Sequence, residues 1–192
     1  MILPSSVEIA SAIYGAWRLL RGDRTGMRFF DLTIEGFWKS FGGAALIVAP
    51  GYLILVALHL VEAEFEAGFL RILLVQAIGY VILWVAFPLV MSFIADALNR
   101  PQRYIGYIVA YNWSQVIQMA VVLPVDVLAF SGVLPGGLVA LLVLVSRLVV
   151  FGYLWYVTTT ALDVGPFPAV GLVLVALVIE FVAVRAMDGM IA

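Results

Sequence analysis

Six polar or charged residues interrupt long apolar stretches of this chain, and they are the first candidates for chemistry. They are Asn112, Gln115, Gln118, Asp126, Arg147 and Glu180. At about 100° per residue of an α-helix, the residues Asn112, Gln115 and Asp126 share one broad face. Polar groups at membrane depth are costly unless they face protein or water. This face is therefore predicted to point inward.

Arg147 and Glu180 are predicted to form an ion pair, with Asp126 as a second partner. At a rise of about 1.5 Å per residue, Arg147 lies about 18 Å from one end of its apolar stretch. Glu180 lies about 10 Å from the corresponding end of the next stretch, and an arginine side chain is long enough to close the difference. Two interpretations remain open: a pathway for a small polar solute or protons, or interhelical contacts that fix helix register.

Weaker signals come from a short acidic segment and a run of threonines. Glu62, Glu64 and Glu66 near His59 are interpreted as a solvated turn, with a weak divalent-cation contact as the alternative. The hydroxyls of residues 158–160 are predicted to bond back to their own helix.

The composition excludes several classes of protein. Hydrophobic residues make up 65% of the chain and charged residues 11%, and the mean hydropathy is +1.16, which is not typical of a soluble protein. Cysteine is absent and His59 is the one histidine, so no cofactor or metal centre is expected. The basic residues are scattered, which argues against nucleic acid as a partner. No phosphate-binding loop, nucleophile elbow or zincin helix is present, so the chain is predicted not to be an enzyme.

Five apolar stretches are each long enough to cross a bilayer, which requires about 20 residues. They cover about 41–61, 69–96, 104–131, 135–161 and 167–187. The fold class is therefore predicted to be all-α: a polytopic membrane bundle of five transmembrane helices with an N-terminal pair of interfacial amphipathic helices. Short connections predict that consecutive helices are antiparallel neighbours.

Residues 1–39 are predicted to form an interfacial or cytoplasmic segment, and residues 40–192 the bundle. A helix over 5–21 begins at a capping box of Ser5 and Glu8, and 27–39 is interpreted as a second amphipathic segment. The alternative for the first helix is that it packs on the protein's own cytoplasmic face. We expect its removal to leave a stable core. The residues predicted to lie at the membrane interface are Trp17, Arg18, Arg21, Trp38 and Lys39.

The distribution of basic residues predicts the orientation. Seven of them fall on one side of a five-span scheme and two, Arg71 and Arg185, fall on the other. The N-terminus is therefore expected in the cytoplasm and the C-terminus outside. A composition rich in alanine, valine, leucine, glycine and arginine but poor in lysine favours a bacterial inner membrane.

The segment from Gly106 to Tyr111, with aromatic and small residues opening a middle span, resembles the Yip family of small five-span membrane proteins. Over about residues 40–187, the resemblance lies in the arrangement of five spans. It implies a non-enzymatic protein that binds other membrane proteins.

The expected function is therefore an accessory or scaffold subunit, in contact with the lipid bilayer and with other integral membrane proteins or further copies of itself. The alternative is a small oligomeric transporter or channel that uses the polar core of spans three to five.

Overall fold

The computed structural model describes residues 3–63 and 67–192, without the side chains of residues 62 and 63. All regular elements in these ranges are helical. They are α1 (Ser6–Leu20), α2 (Ile34–Ala63), α3 (Phe69–Ala97), α4 (Tyr104–Phe130), α5 (Gly136–Ala161) and α6 (Pro166–Ile191), with short 3₁₀ helices at Arg24–Phe29 and Pro101–Arg103. Helices α2 to α6 are each long and apolar enough to cross a membrane. The predicted all-α class and the five spans are confirmed.

The predicted second amphipathic segment, 27–39, comprises the end of a 3₁₀ helix and the first turns of α2. A 3₁₀ helix ends at Phe29, and α2 begins at Ile34 and continues without a break into the first span. Helix α2 has 30 residues, or about 45 Å at 1.5 Å per residue. This length exceeds a hydrocarbon core of about 30 Å, so one helix supplies both the surface turns and the span.

Helix α1 packs on the bundle itself, at the end where α2 begins. We refer to this as the α1 end of the bundle and to the opposite end as the far end. The capping box is present, because the Ser5 amide donates to Glu8 at 2.7 Å and the Ser5 hydroxyl accepts from the Glu8 amide at 3.3 Å. Ala12, Ala16 and Leu19 are buried, and α1 contacts α4 and α5.

Two tyrosines of α5 hold this end of the chain in place. The Tyr153 hydroxyl donates to the carbonyl of Ala16 at 2.9 Å, and the Tyr156 hydroxyl donates to the carbonyl of Gly22. The 3₁₀ helix that follows α1 packs closely on it. A Cβ atom on Gly26 of this 3₁₀ helix would lie 2.5 Å from the carbonyl oxygen of Gly15 in α1, so the close approach requires glycine. These contacts favour the alternative in which α1 packs on the protein, and they argue against a dispensable N-terminal helix.

Helix α4 is the centre of the bundle. Residues 107–114 are all buried, and α4 packs extensively against both α2 and α5, while α3 packs mainly against α6. Helices α2 and α3 are consecutive in the chain but make few direct contacts. The expectation that consecutive helices are neighbours is therefore wrong for this pair, because α3 turns its face towards α6. The space left between α2 and α3 contains the candidate site.

Candidate functional site

The six candidate residues of the spans do not form one polar core. The structure distributes them among three separate places: a buried hydrogen bond, an exposed ion pair and a cavity. Asn112 and Gln118 belong to hydrogen bonds, Asp126 and Arg147 to the ion pair, and Gln115 and Glu180 to the cavity.

Asn112 joins two helices. Its side-chain nitrogen donates to the hydroxyl of Ser40 on α2 at 2.9 Å, and that hydroxyl donates to the carbonyl of Phe37 at 2.7 Å. Both Asn112 and Ser40 are fully buried. On α4 itself, Gln118 donates to the hydroxyl of Ser114 at 3.1 Å. These bonds are interhelical and intrahelical contacts of the kind that fixes helix position in membrane proteins.

Arg147 pairs with Asp126, and not with Glu180 as its main partner as the sequence predicted. One guanidinium nitrogen lies 2.8 Å from each carboxylate oxygen of Asp126. The side chains are 45% and 23% exposed, respectively. Helix α5 packs more extensively against α4 than against α6, so the arginine extends along α4 towards the far end, where Asp126 lies about 6 Å from the helix terminus.

Glu180 lies in a cavity between four helices. The cavity has a volume of about 150 Å³, is partly open, and is lined by residues of α2, α3, α4 and α6, among which Glu180 is exposed. Glu180 is 14 residues from the start of α6 and 11 from its end, so it is near the middle of the span. The lining residues are Val48, Tyr52, Tyr80, Leu83, Trp84, Phe87, Tyr111, Gln115, Ala176, Ile179 and Glu180.

Two tyrosine hydrogen bonds connect α2 and α3 beside the cavity. The Tyr52 hydroxyl donates to the side-chain oxygen of Gln76 at 2.8 Å, and the Tyr80 hydroxyl donates to the carbonyl of Ala45. These bonds bridge helices that otherwise touch little. They position two neighbouring aromatic rings in the lining of the space that Glu180 faces.

The aromatic side chains form much of the wall. The rings of Tyr52 and Tyr80 are 4.7 Å apart, and those of Phe87 and Tyr111 are 4.4 Å apart. Trp84 lies beside Tyr80, at 6.2 Å between ring centroids. Aromatic residues of membrane proteins are typically concentrated at the two interfaces, whereas these lie in the middle of their helices.

The lining of this cavity carries a negative charge, on which Arg147 acts electrostatically from outside the lining. The lining includes one carboxylate, Glu180, and no basic side chain. Within residues 3–63 and 67–192, no ion pair or hydrogen bond involves Glu180, and the guanidinium of Arg147 is bonded to Asp126. Glu180 and Gln115 are thus the two of the six candidate residues that line the cavity.

Sequence reasoning missed four residues of this site: Tyr52, Gln76, Tyr80 and Trp84. A signal was available in Gln76, a polar residue two turns inside a span that receives a hydrogen bond from another helix. The tyrosines gave a weaker signal because aromatic side chains are compatible with lipid. Their convergence depends on the pairing of α3 with α6.

The residues predicted at the interface have different environments. Trp17 and Trp38 are exposed, and Arg21 is exposed. Arg18, in contrast, is paired with Asp23, and the Lys39 ammonium lies 2.7 Å from both Glu8 and Glu35. Because Lys39 is only 14% exposed, it is an internal contact between α1 and α2 rather than a free headgroup ligand.

The acids of these internal pairs are held in their charged form. The hydrogen bond from Lys39 lowers the pKa of Glu8 to about 2. For Asp23, hydrogen bonds from the hydroxyl and amide of Thr25, with a further one from Arg18, lower the pKa to about 2. Both shifts follow from donors that favour the carboxylate.

The structure describes part of the two weaker candidates, the threonine run and the acidic segment near His59. The prediction for the threonines is confirmed for Thr158 and Thr159, whose hydroxyls donate to Leu154 and Tyr156; Thr160 shows no such bond. Glu64 and Glu66, with the side chain of Glu62, lie outside the described residues. His59 lies 3.0 Å from the carboxylate of Asp188, which connects α2 and α6 near the far end.

No family model matches this chain, and comparisons with curated proteins and with solved structures found no match either. The resemblance to the Yip family stays a prediction.

Proposed function

We propose that this chain is a non-enzymatic membrane protein that carries a small polar solute through the cavity between α2, α3, α4 and α6. One observation supports this above the others: Glu180 faces that cavity near the middle of its span, and no hydrogen bond or ion pair among the described residues involves it. Such residues usually mark substrate or ion pathways, because a charged group in the membrane interior is otherwise costly.

The contrast with the other polar residues strengthens this proposal. Asn112, Asp126 and Arg147 each contact another helix directly, as residues that stabilise packing do. Gln115 and Glu180 line a space that is large enough for a small molecule. The transporter alternative therefore becomes our main proposal.

The same proposal includes an orientation. The termini of a five-span chain lie on opposite sides, and the basic residues of the α1 end exceed those of the far end by seven to two. We place the α1 end in the cytoplasm and the far end outside a bacterial inner membrane. A reporter fused at residue 100 is expected to be cytoplasmic, and one at residue 192 external.

Thiol accessibility tests the carrier function, because the chain has no cysteine of its own. In sealed vesicles of known orientation, Gln115→Cys is treated with a membrane-impermeant methanethiosulfonate reagent applied to one face at a time. Labelling from each face in turn is expected for a carrier whose cavity opens to both sides. The size-exclusion profile of the variant verifies that it folds.

Leu148→Cys is the matched control. Leu148 is about 20 Å from the α1 end of α5 and Gln115 about 17 Å from that end of α4, but Leu148 is 60% exposed on the outside of the bundle. A thiol facing lipid is expected to stay protonated and unlabelled. If Gln115→Cys were as unreactive as Leu148→Cys from both faces, the cavity would not be a solute pathway.

The accessory or scaffold role is a second candidate, supported by an apolar groove between α3 and α6. The groove has a volume of about 550 Å³. Its walls include Ala86, Ala183 and Ala186, and small residues let transmembrane helices approach closely. We propose another transmembrane helix, from a second copy or a different membrane protein, as the occupant.

Filling the groove tests this second candidate. Ala183→Leu is expected to abolish copurification of the partner from native membranes while the bundle remains folded. Leu144→Ala, on the outside of α5, is the control that should leave copurification unchanged. Equal recovery of a partner with both variants would exclude the groove as the docking surface.

A further inference from the structure

We propose that the solute bound in this cavity is a small organic cation, such as an amine or a quaternary ammonium ion. This inference rests on the proposed function of the cavity and adds the chemical class of its ligand. Three properties support it: the sign of the charge, the nature of the wall and the volume.

The charge of the lining selects against anions. Glu180 is the one ionisable carboxylate among the lining residues, and no lysine, arginine or histidine accompanies it. Arg147 on α5 acts on Glu180 electrostatically, but its hydrogen bonds go to both carboxylate oxygens of Asp126. A carboxylate without a directly bonded counter-ion is unfavourable within a membrane span, so a cationic ligand supplies the direct contact that the protein does not.

The aromatic wall fits an organic cation better than a metal ion. The faces of tyrosine and tryptophan rings are electron-rich and attract ammonium groups, including quaternary ones. Tyr52, Tyr80, Trp84 and Tyr111 all line the same space as Glu180. A hard divalent ion would need about six oxygen ligands, and one carboxylate with one amide does not provide them.

The volume limits the size of the ligand. A cavity of about 150 Å³ matches the size that holds a benzene molecule in a protein interior. Tetramethylammonium is of this size class, and tert-butanol has nearly the same shape without the charge. This pair of probes separates charge from size.

The binding experiment uses the full chain in detergent and follows its thermal unfolding at constant ionic strength. Tetramethylammonium chloride is expected to raise the unfolding midpoint in a concentration-dependent manner, because a ligand that binds only the folded state stabilises it. Sodium chloride and tert-butanol are not expected to do so. Equal effects of tetramethylammonium and tert-butanol would overturn the cation assignment.

Variants locate the effect in the cavity. Glu180→Gln is expected to remove the response to tetramethylammonium, and Trp84→Leu to weaken the apparent affinity by about tenfold. Asp188→Asn, which changes an acid on the same helix that contacts His59 instead, is the matched control and should respond like the unchanged protein. A full response in Glu180→Gln would exclude this site.

A charge comparison distinguishes failure of this inference from failure of the proposed function. Gln115→Cys is treated with a trimethylammonium and a sulfonate methanethiosulfonate of similar size, and both rates are normalised to Val133→Cys in the exposed turn between α4 and α5. Preference for the cationic reagent, lost with Glu180→Gln, supports the inference. Equal normalised rates would leave the proposed solute cavity standing but exclude its selectivity for cations. If neither reagent reacted with Gln115→Cys, both proposals would be excluded.

Discussion

Asp126 and Glu180 are both carboxylates inside membrane-spanning helices, yet their surroundings are opposite. Asp126 receives two contacts of 2.8 Å from Arg147. Glu180 faces a cavity lined by aromatic rings, without an ion pair in the described part of the chain. The comparison indicates that a charged residue within a span is not in itself a functional site. What matters is whether the protein has already satisfied the charge.

The largest effect should come from breaking the satisfied pair. Arg147→Leu is expected to lower the free energy of unfolding by about 1–2 kcal/mol, because it leaves Asp126, near the end of its helix, without a counter-ion. A double-mutant cycle with Asp126→Leu should show strong coupling, measured by thermal unfolding in detergent.

The same cycle with Glu180→Leu provides the control. Arg147 and Glu180 interact through space without a hydrogen bond or ion pair, so the coupling between these two substitutions should be weaker than that between Arg147→Leu and Asp126→Leu. Stronger coupling of Arg147 to Glu180 than to Asp126 would show that the pairing in the structure is wrong.

A smaller effect is expected from the unsatisfied carboxylate alone. Glu180→Leu should leave the free energy of unfolding unchanged or raise it by up to about 1 kcal/mol, because a lone carboxylate in apolar surroundings opposes folding. Chemical or thermal unfolding of the purified protein measures this. A loss as large as that of Arg147→Leu would mean that Glu180 is a structural residue.

The smallest effect concerns a paired carboxylate outside the spans. The pKa of Glu8 is lowered from 4.5 to about 2 by its bond to Lys39, so the stabilisation from this pair is complete above pH 4.5. It is lost as the pH falls towards about 2. Amide hydrogen exchange in α1, corrected for its intrinsic pH dependence, should increase over that range.

Glu8→Gln is the variant that verifies this assignment. It lacks the titrating group, so α1 should be more open at neutral pH and nearly insensitive to further acidification. An unchanged pH profile in Glu8→Gln would assign the transition to another group.

The parts of the fold that could be predicted are those encoded locally. Hydropathy over about 20 residues identifies a span, and the capping box of Ser5 and Glu8 marks the start of α1. The amphipathic segment predicted over 27–39 is divided in the structure between the 3₁₀ helix that ends at Phe29 and the first turns of α2 from Ile34.

The site could be predicted only in part, because its assembly depends on which helices are neighbours. Distance along the helix axis places Arg147 and Glu180 each 11 residues from the far ends of their helices, which favoured pairing them. The structure directs Arg147 towards α4 instead. The cavity likewise depends on α3 leaving α2 to pack against α6, and no local pattern in the sequence encodes that choice.

The most direct test compares the two carboxylates in one detergent preparation, with thermal unfolding measured with and without tetramethylammonium. We predict that Glu180→Gln keeps the unfolding midpoint but loses the stabilisation by tetramethylammonium. Asp126→Asn should have a lower midpoint and keep that stabilisation. If Glu180→Gln instead unfolded at a lower temperature and was still stabilised by tetramethylammonium, Glu180 would be a packing residue and the cavity would not be the solute site.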